Sequence, residues 1–142
     1  MTIAQAMKEI ARLRKEIELF RERELSCVKI DVREEYVEDF AELDGLIDIK
    51  TKQYIDLKQK VMQANIQNNM FTQILLLGEL KDEIELWKEL FVGSKIKAEH
   101  ITADAIKTQL TVNDKNRKIE TLQEQINDVT DILDDFNSVT QI

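Results

Sequence analysis

A chain of 142 residues is about one domain's worth and is long enough to bury a sizeable core. It has no proline and three glycines against 43% apolar and 34% charged residues, a balance that points to a mostly helical protein with few turns. The net charge of -8 argues against binding duplex nucleic acid or an anionic membrane, which need a basic surface that the chain lacks in bulk, and the single cysteine, Cys27, excludes an internal disulfide.

The first helix is predicted to begin at Thr2. "TIAQ" fits a capping box, a hydroxyl at the N-cap with Gln5 three positions on. Ile3, Met7, Ile10, Leu13, Ile17 and Phe20 then recur at spacings of three and four and form one apolar face, which fades near Leu25. In "CVKIDV", Val28, Ile30 and Val32 alternate with Lys29 and Asp31. That is the pattern of a short half-buried strand over 28–32, too short to stand without a partner.

The second helix is the longest, predicted from Tyr36 to Ile66. Tyr36, Phe40, Leu43, Ile47, Tyr54, Leu57, Val61 and Ala64 hold heptad spacing, with Lys50 as the one break. Gly45 lies inside this pattern at a cost of about 1 kcal/mol against alanine. Close approach of another backbone would explain it. "NIQNNM" ends the helix, since asparagine tolerates the left-handed cap conformation. A third helix is predicted from Phe71 to Val92. Leu77, Leu80, Ile84, Trp87 and Phe91 form its seam, Ile74 and Leu75 add width, and Gly93 closes it.

The helical pattern then lapses. Ile106, Thr108, Leu110 and Val112 alternate with polar residues, so 106–112 is predicted as a second strand, with 95–105 as the loop leading in. The fourth helix is predicted from Asn113 to Ser138 with the seam Ile119, Leu122, Ile126, Val129, Leu133 and Phe136. Asp128, Asp131, Asp134 and Asp135 make its end acidic. That opposes the helix dipole, so this end is expected to fray or to meet a basic surface.

The expected fold is therefore mainly α: four long amphipathic helices in an antiparallel bundle or coiled-coil arrangement, forming one domain over 1–142. The strands at 28–32 and 106–112 pair to cap one end. An over-long second helix leaves part of its seam uncovered. Fully burying one leucine-sized side chain is worth about 1.5–3 kcal/mol, so a homodimer or higher oligomer is expected.

Four segments, "IAQAMKEIARLRKEIELFRER", "FAELDGLIDIKTKQYIDLKQKVMQAN", "LGELKDEIELWKELF" and "IKTQLTVNDKNRKIETLQEQINDVTDILDDFN", resemble in that order a family of small helical bacterial and phage-borne proteins. Some members of that family carry the label septicolysin. The resemblance covers nearly the whole chain. It implies a helical fold, and it brings no catalytic residues to carry over.

Chemistry-bearing residues are few. His100 is the sole histidine, which rules out the paired Glu-x-x-His motifs of a di-iron bundle. Asp44 with Asp48, and Asp131 with Asp135, lie one turn apart, but the ordinary reading of such pairs is a solvated acidic face. Gly45, Gly78 and Gly93 are too scattered for a phosphate loop. A Cys27–His100 dyad requires the two strands to pair. Trp87, Tyr54 and Phe91 fall at seam positions and belong to the core. No metal site and no cofactor is expected.

The one local concentration of basic groups is Lys95, Lys97, His100 and Lys107, with Arg33 after the first strand. Paired strands would gather these five at the bundle end, where a small anionic, nucleotide-like ligand could be held by charge-assisted hydrogen bonds. The expected function is a non-enzymatic, oligomeric helical binding protein, acting through a protein-interaction surface or through that pocket. One sharper alternative is a phage-encoded sponge for a nucleotide immune messenger, which needs only an enclosing pocket. Another is a coiled-coil adaptor for a protein partner. Charges every few residues at the N-terminus leave no signal-peptide core, and no apolar run approaches the ~20 residues of a membrane span. The expected location is therefore the cytoplasm, that of the bacterial host for a phage-encoded protein.

Overall fold

The computed structural model describes residues 1–90, 92 and 109–142. They form four helices: α1 (Ile3–Cys27), α2 (Phe40–Gln67), α3 (Met70–Glu89) and α4 (Val112–Val139). Thr2 caps α1 as the sequence predicts. Its hydroxyl accepts the Gln5 backbone N–H at 3.2 Å, and the Gln5 side chain accepts the Thr2 N–H at 2.9 Å. Asp39 caps α2 by accepting the Ala41 N–H at 3.1 Å, so that helix starts at Phe40 rather than Tyr36.

The helices fall into two compact units, Met1–Asn69 with Asp134–Ile142, and Met70–Leu133. In the first, α1 and α2 pack antiparallel. Glu16 pairs with Lys50, Arg23 with Glu38, and Arg14 lies over the Tyr54 ring. Ile3, Ala6, Leu13 and Ile17 of α1 and Leu43, Ile47 and Ala64 of α2 are buried. The break in the α2 seam is thereby explained: the Lys50 ammonium takes the Glu16 carboxylate and lies 5.7 Å from the Phe20 ring centre.

The two ends of the chain meet in this unit. Thr2 and Gln141 form an antiparallel bridge, the Ile3 N–H donates to the Thr140 carbonyl at 3.0 Å, and the Ile142 N–H donates to the Met1 carbonyl at 3.0 Å. The acidic end of α4 does not fray. Its last turn closes through the Thr140 N–H to the Phe136 carbonyl at 3.0 Å. Thr140 then accepts a hydrogen bond from the first turn of α1, so the negative end of one helix meets the positive end of another.

In the second unit, α3 packs antiparallel on α4 through Leu80, Ile84, Leu122, Ile126, Val129 and Leu133, with Leu77, Trp87 and Ile119 against that cluster. Lys115 spans from α4 to the end of α3, donating to the carbonyls of Lys88 and Leu90, each at 2.8 Å. It thereby satisfies carbonyls that a helix end leaves open.

The expected strand cap is not found among the described residues. Residues 28–32 form no strand but an exposed loop in which Val32 is 99% accessible. Asp31 explains this: its side chain accepts the Arg33 N–H at 2.9 Å and its carbonyl accepts the Glu34 N–H at 2.9 Å, a local turn that competes with extended pairing. The second predicted strand lies outside the described residues over 106–108, residues 109–110 form a bend, and Val112 already belongs to α4. Among the described residues no strand caps the helices. The sequence expectation of a close backbone at Gly45 also fails, because a Cβ built there meets nothing within 4 Å.

Candidate functional site

Of the five basic residues expected to gather around an anion, Lys95, Lys97, His100 and Lys107 lie outside the described residues. Arg33 is in the loop between α1 and α2, on the surface and already engaged. Its guanidinium forks onto Asp31, with Nε to Oδ1 and Nη2 to Oδ2 both at 2.9 Å. That fork and the Arg33 backbone N–H hold the Asp31 carboxyl down to about 2. The strand pair that was to carry Arg33 toward the others is not formed.

Cys27 sits half-buried in the last turn of α1, its thiol donating to the Glu24 carbonyl at 3.5 Å. It borders an open hollow of about 360 Å³ with Val28, Tyr36, Glu38, Asp39 and Phe40. The polar wall is self-neutralised: Arg23 Nε donates to Glu38 at 2.8 Å, which lowers the Glu38 pKa and raises that of Arg23. The dyad partner His100 lies outside the described residues. Among the described residues no group of three metal-ligating side chains converges. Asp48, one of the carboxylates spaced one turn apart on α2, is taken by Lys52 at 2.7 Å.

Trp87 and Tyr54 serve packing. Trp87 lies against the core of the second unit with the Lys118 ammonium 5.9 Å from its ring. Tyr54 is flanked by Arg14 at 6.0 Å and Lys58 at 5.2 Å. Phe91 lies outside the described residues.

The surface that stands out is on α3. Its core side is set by Leu77, Leu80, Ile84 and Trp87, which meet α4. At 100° per residue, Phe71, Leu75, Gly78, Asp82, Leu86 and Glu89 fall on the opposite side. All six are exposed, with Phe71 at 46% and Leu75 and Leu86 at 57%. Sequence reading assigned Leu75 to the core as extra seam width. The signal against that was present, because α4 offers one apolar stripe and cannot cover both sides of α3.

These features define a protein of paired amphipathic helices with a partly apolar outer helix face. Comparison of the chain with protein-family models, with curated proteins and with solved structures finds no match. Among the described residues no helix is long and apolar enough to cross a membrane.

Proposed function

We propose that the chain is a non-enzymatic helical binding protein that works through a protein-interaction surface and assembles with itself. The observation that carries this reading is the outward face of α3, where Phe71, Leu75 and Leu86 are about half accessible on the side away from the core. Large apolar side chains grouped on one exposed helix face mark an association surface more often than a catalytic one. The described cavities lend less to a ligand reading. The hollow at Cys27 is open, and its charged groups already satisfy one another.

Native mass spectrometry of the purified protein, repeated after denaturation, tests this. The expected result is a homo-oligomer that carries no small molecule and is shifted toward monomer by Leu75→Glu, with helicity by circular dichroism unchanged. A monomeric wild type overturns the reading. So does a bound small molecule released on denaturation, which would restore the ligand-sequestering alternative.

A further inference from the structure

Among the described residues, the outward face of α3 carries carboxylates that have no ion-pair partner as well as apolar groups. Asp82 and Glu89 stand seven residues apart on that face, and neither makes a salt bridge, unlike Glu83 with Lys118 and Glu85 with Lys88. Gly78 lies between Leu75 and Asp82. A Cβ there would meet nothing within 4 Å, so nothing in the chain's own packing calls for glycine in the middle of a helix. A face with small, large and acidic positions in fixed order asks for a helix with large, small and basic positions in the reverse order.

The chain contains such a helix. The buried side of α1 is Ile3, Ala6, Leu13 and Ile17. Its opposite side is Lys8, Ala11, Lys15, Leu19, Glu22 and Ser26, all exposed, with Leu19 at 52%. Lys8 and Lys15 are unpaired among the described residues, whereas Arg12 is taken by Glu9 and Glu16, and Arg14 by Glu18.

The steps along this α1 face are three, four, four, three and four residues. Read from its C-terminal end, the α3 face steps through Glu89, Leu86, Asp82, Gly78, Leu75 and Phe71 by the same three, four, four, three and four. We propose that the occupant of the α3 face is α1 of a second copy of this chain, docked antiparallel with Leu19 seated over Gly78.

In that register Lys8 meets Glu89 and Lys15 meets Asp82, which joins the unpaired charges of each helix. Ala11 meets Leu86 and Leu19 meets Gly78, so in both of these pairs a large side chain faces a small one, the alternation that lets facing layers interdigitate. The remaining pairs, Glu22 with Leu75 and Ser26 with Phe71, bring no like charges together. Sliding α1 by one heptad in one direction sets Lys8 against Asp82 and leaves Glu89 opposite no lysine, so one charge pair remains in place of two. Sliding it in the other sets Glu22 against Asp82. Charge therefore fixes the register, as flanking charges do in coiled coils. The two faces differ, so the contact is heterologous and its closure sets the subunit number.

The inference rests on the self-association proposed above, and the two fail differently. Sedimentation equilibrium of four variants separates them. Lys15→Glu and Asp82→Lys, each placing like charges across the contact, should each weaken association about tenfold or more. The double variant carrying both, which restores opposite charges with signs exchanged, should recover most of the loss. Gly78→Leu fills the seat of Leu19 but meets open space in its own chain. It should abolish association while raising helix stability. An oligomer indifferent to the two single reversals and to Gly78→Leu overturns this docking and leaves self-association standing through another surface. A double variant as weak as the singles overturns the register. A monomeric wild type overturns both proposals.

Discussion

Lys50 occupies a position in α2 where Leu43, Ile47, Tyr54, Leu57 and Val61 are otherwise the seam residues, and it is tolerated because Glu16 and the Phe20 ring receive its charge. Its neighbour Thr51 is the opposite case. The Thr51 hydroxyl oxygen is buried and has no hydrogen-bond partner. A buried hydroxyl with no partner forfeits its hydrogen bonds to water, a loss of about 1–3 kcal/mol, whereas valine has the same shape and no such group. Thr51→Val is therefore expected to raise unfolding stability by about 1 kcal/mol, measured by urea titration. A fall would show that the hydroxyl has a partner in solution. Arg33 gives the residue-scale lesson for the site. Its charge was legible in the sequence, but its commitment to Asp31, two positions earlier, depended on a turn that the V-K-I-D-V alternation conceals.

Among the elements, the helices were the most legible because each carries a long 3.6-residue pattern, and α1, α2 and α4 also have a capping side chain at the start. The predicted start at Thr2 matches α1, and the predicted span 113–138 lies within one residue of α4 at both ends. The strand expected over 28–32 failed because alternation over five residues binds to nothing by itself. At 111–114 the sequence "TVND" also holds a competing instruction. The Thr111 hydroxyl accepts the Asp114 N–H, and the Asp114 carboxylate accepts the Thr111 N–H, both at 3.1 Å, a reciprocal cap that starts α4 where a strand was expected to end. The outward face of α3 was hidden for a related reason: an apolar residue reads as core until the width of its partner is known. Gly45 supplies an element-scale prediction. With open space at its Cβ and a helix on either side, Gly45→Ala should stabilise the protein by about 0.5–1 kcal/mol through helix propensity alone. It should leave association unchanged, in contrast to Gly78→Leu. A destabilised Gly45→Ala variant would reveal a close neighbour at that position.

For the whole molecule, acid stability is a contest between net charge and specific pairing. With a net charge of -8 and an isoelectric point near 4.8, acidification from neutral pH first relieves self-repulsion. The specific carboxylates act in the other direction. Glu9 is lowered by its hydrogen bond to Arg12, Glu16 by Lys50 and then Arg12, and Glu38 by Arg23, all from an ordinary value of 4.5. Asp31 is lowered by Arg33, and Asp114 by the Thr111 backbone N–H, from 3.8. A carboxylate whose folded pKa is depressed contributes its stabilisation fully above the unfolded value and loses it as pH falls through the folded value. All five shifts have that sign, so their contributions are intact at pH 7, begin to be lost below about 4.5 for the glutamates and 3.8 for the aspartates, and are gone only once pH has passed each folded value, about 2 for Asp31. The urea midpoint is therefore expected to hold level or rise slightly from pH 7 to about 5, then to fall steadily toward pH 2. Glu16→Gln and Glu38→Gln should each lower the midpoint at pH 7 and make the acid decline shallower, because the proton that breaks each pair no longer has a site. Glu16 links α1 to α2, and Glu38 ties the connecting loop to α1, so the effect should appear as earlier loss of the first unit, read by hydrogen exchange at Leu13 and Ile47. A midpoint that stays level down to pH 2.5 would mean that these pairs contribute nothing measurable to stability.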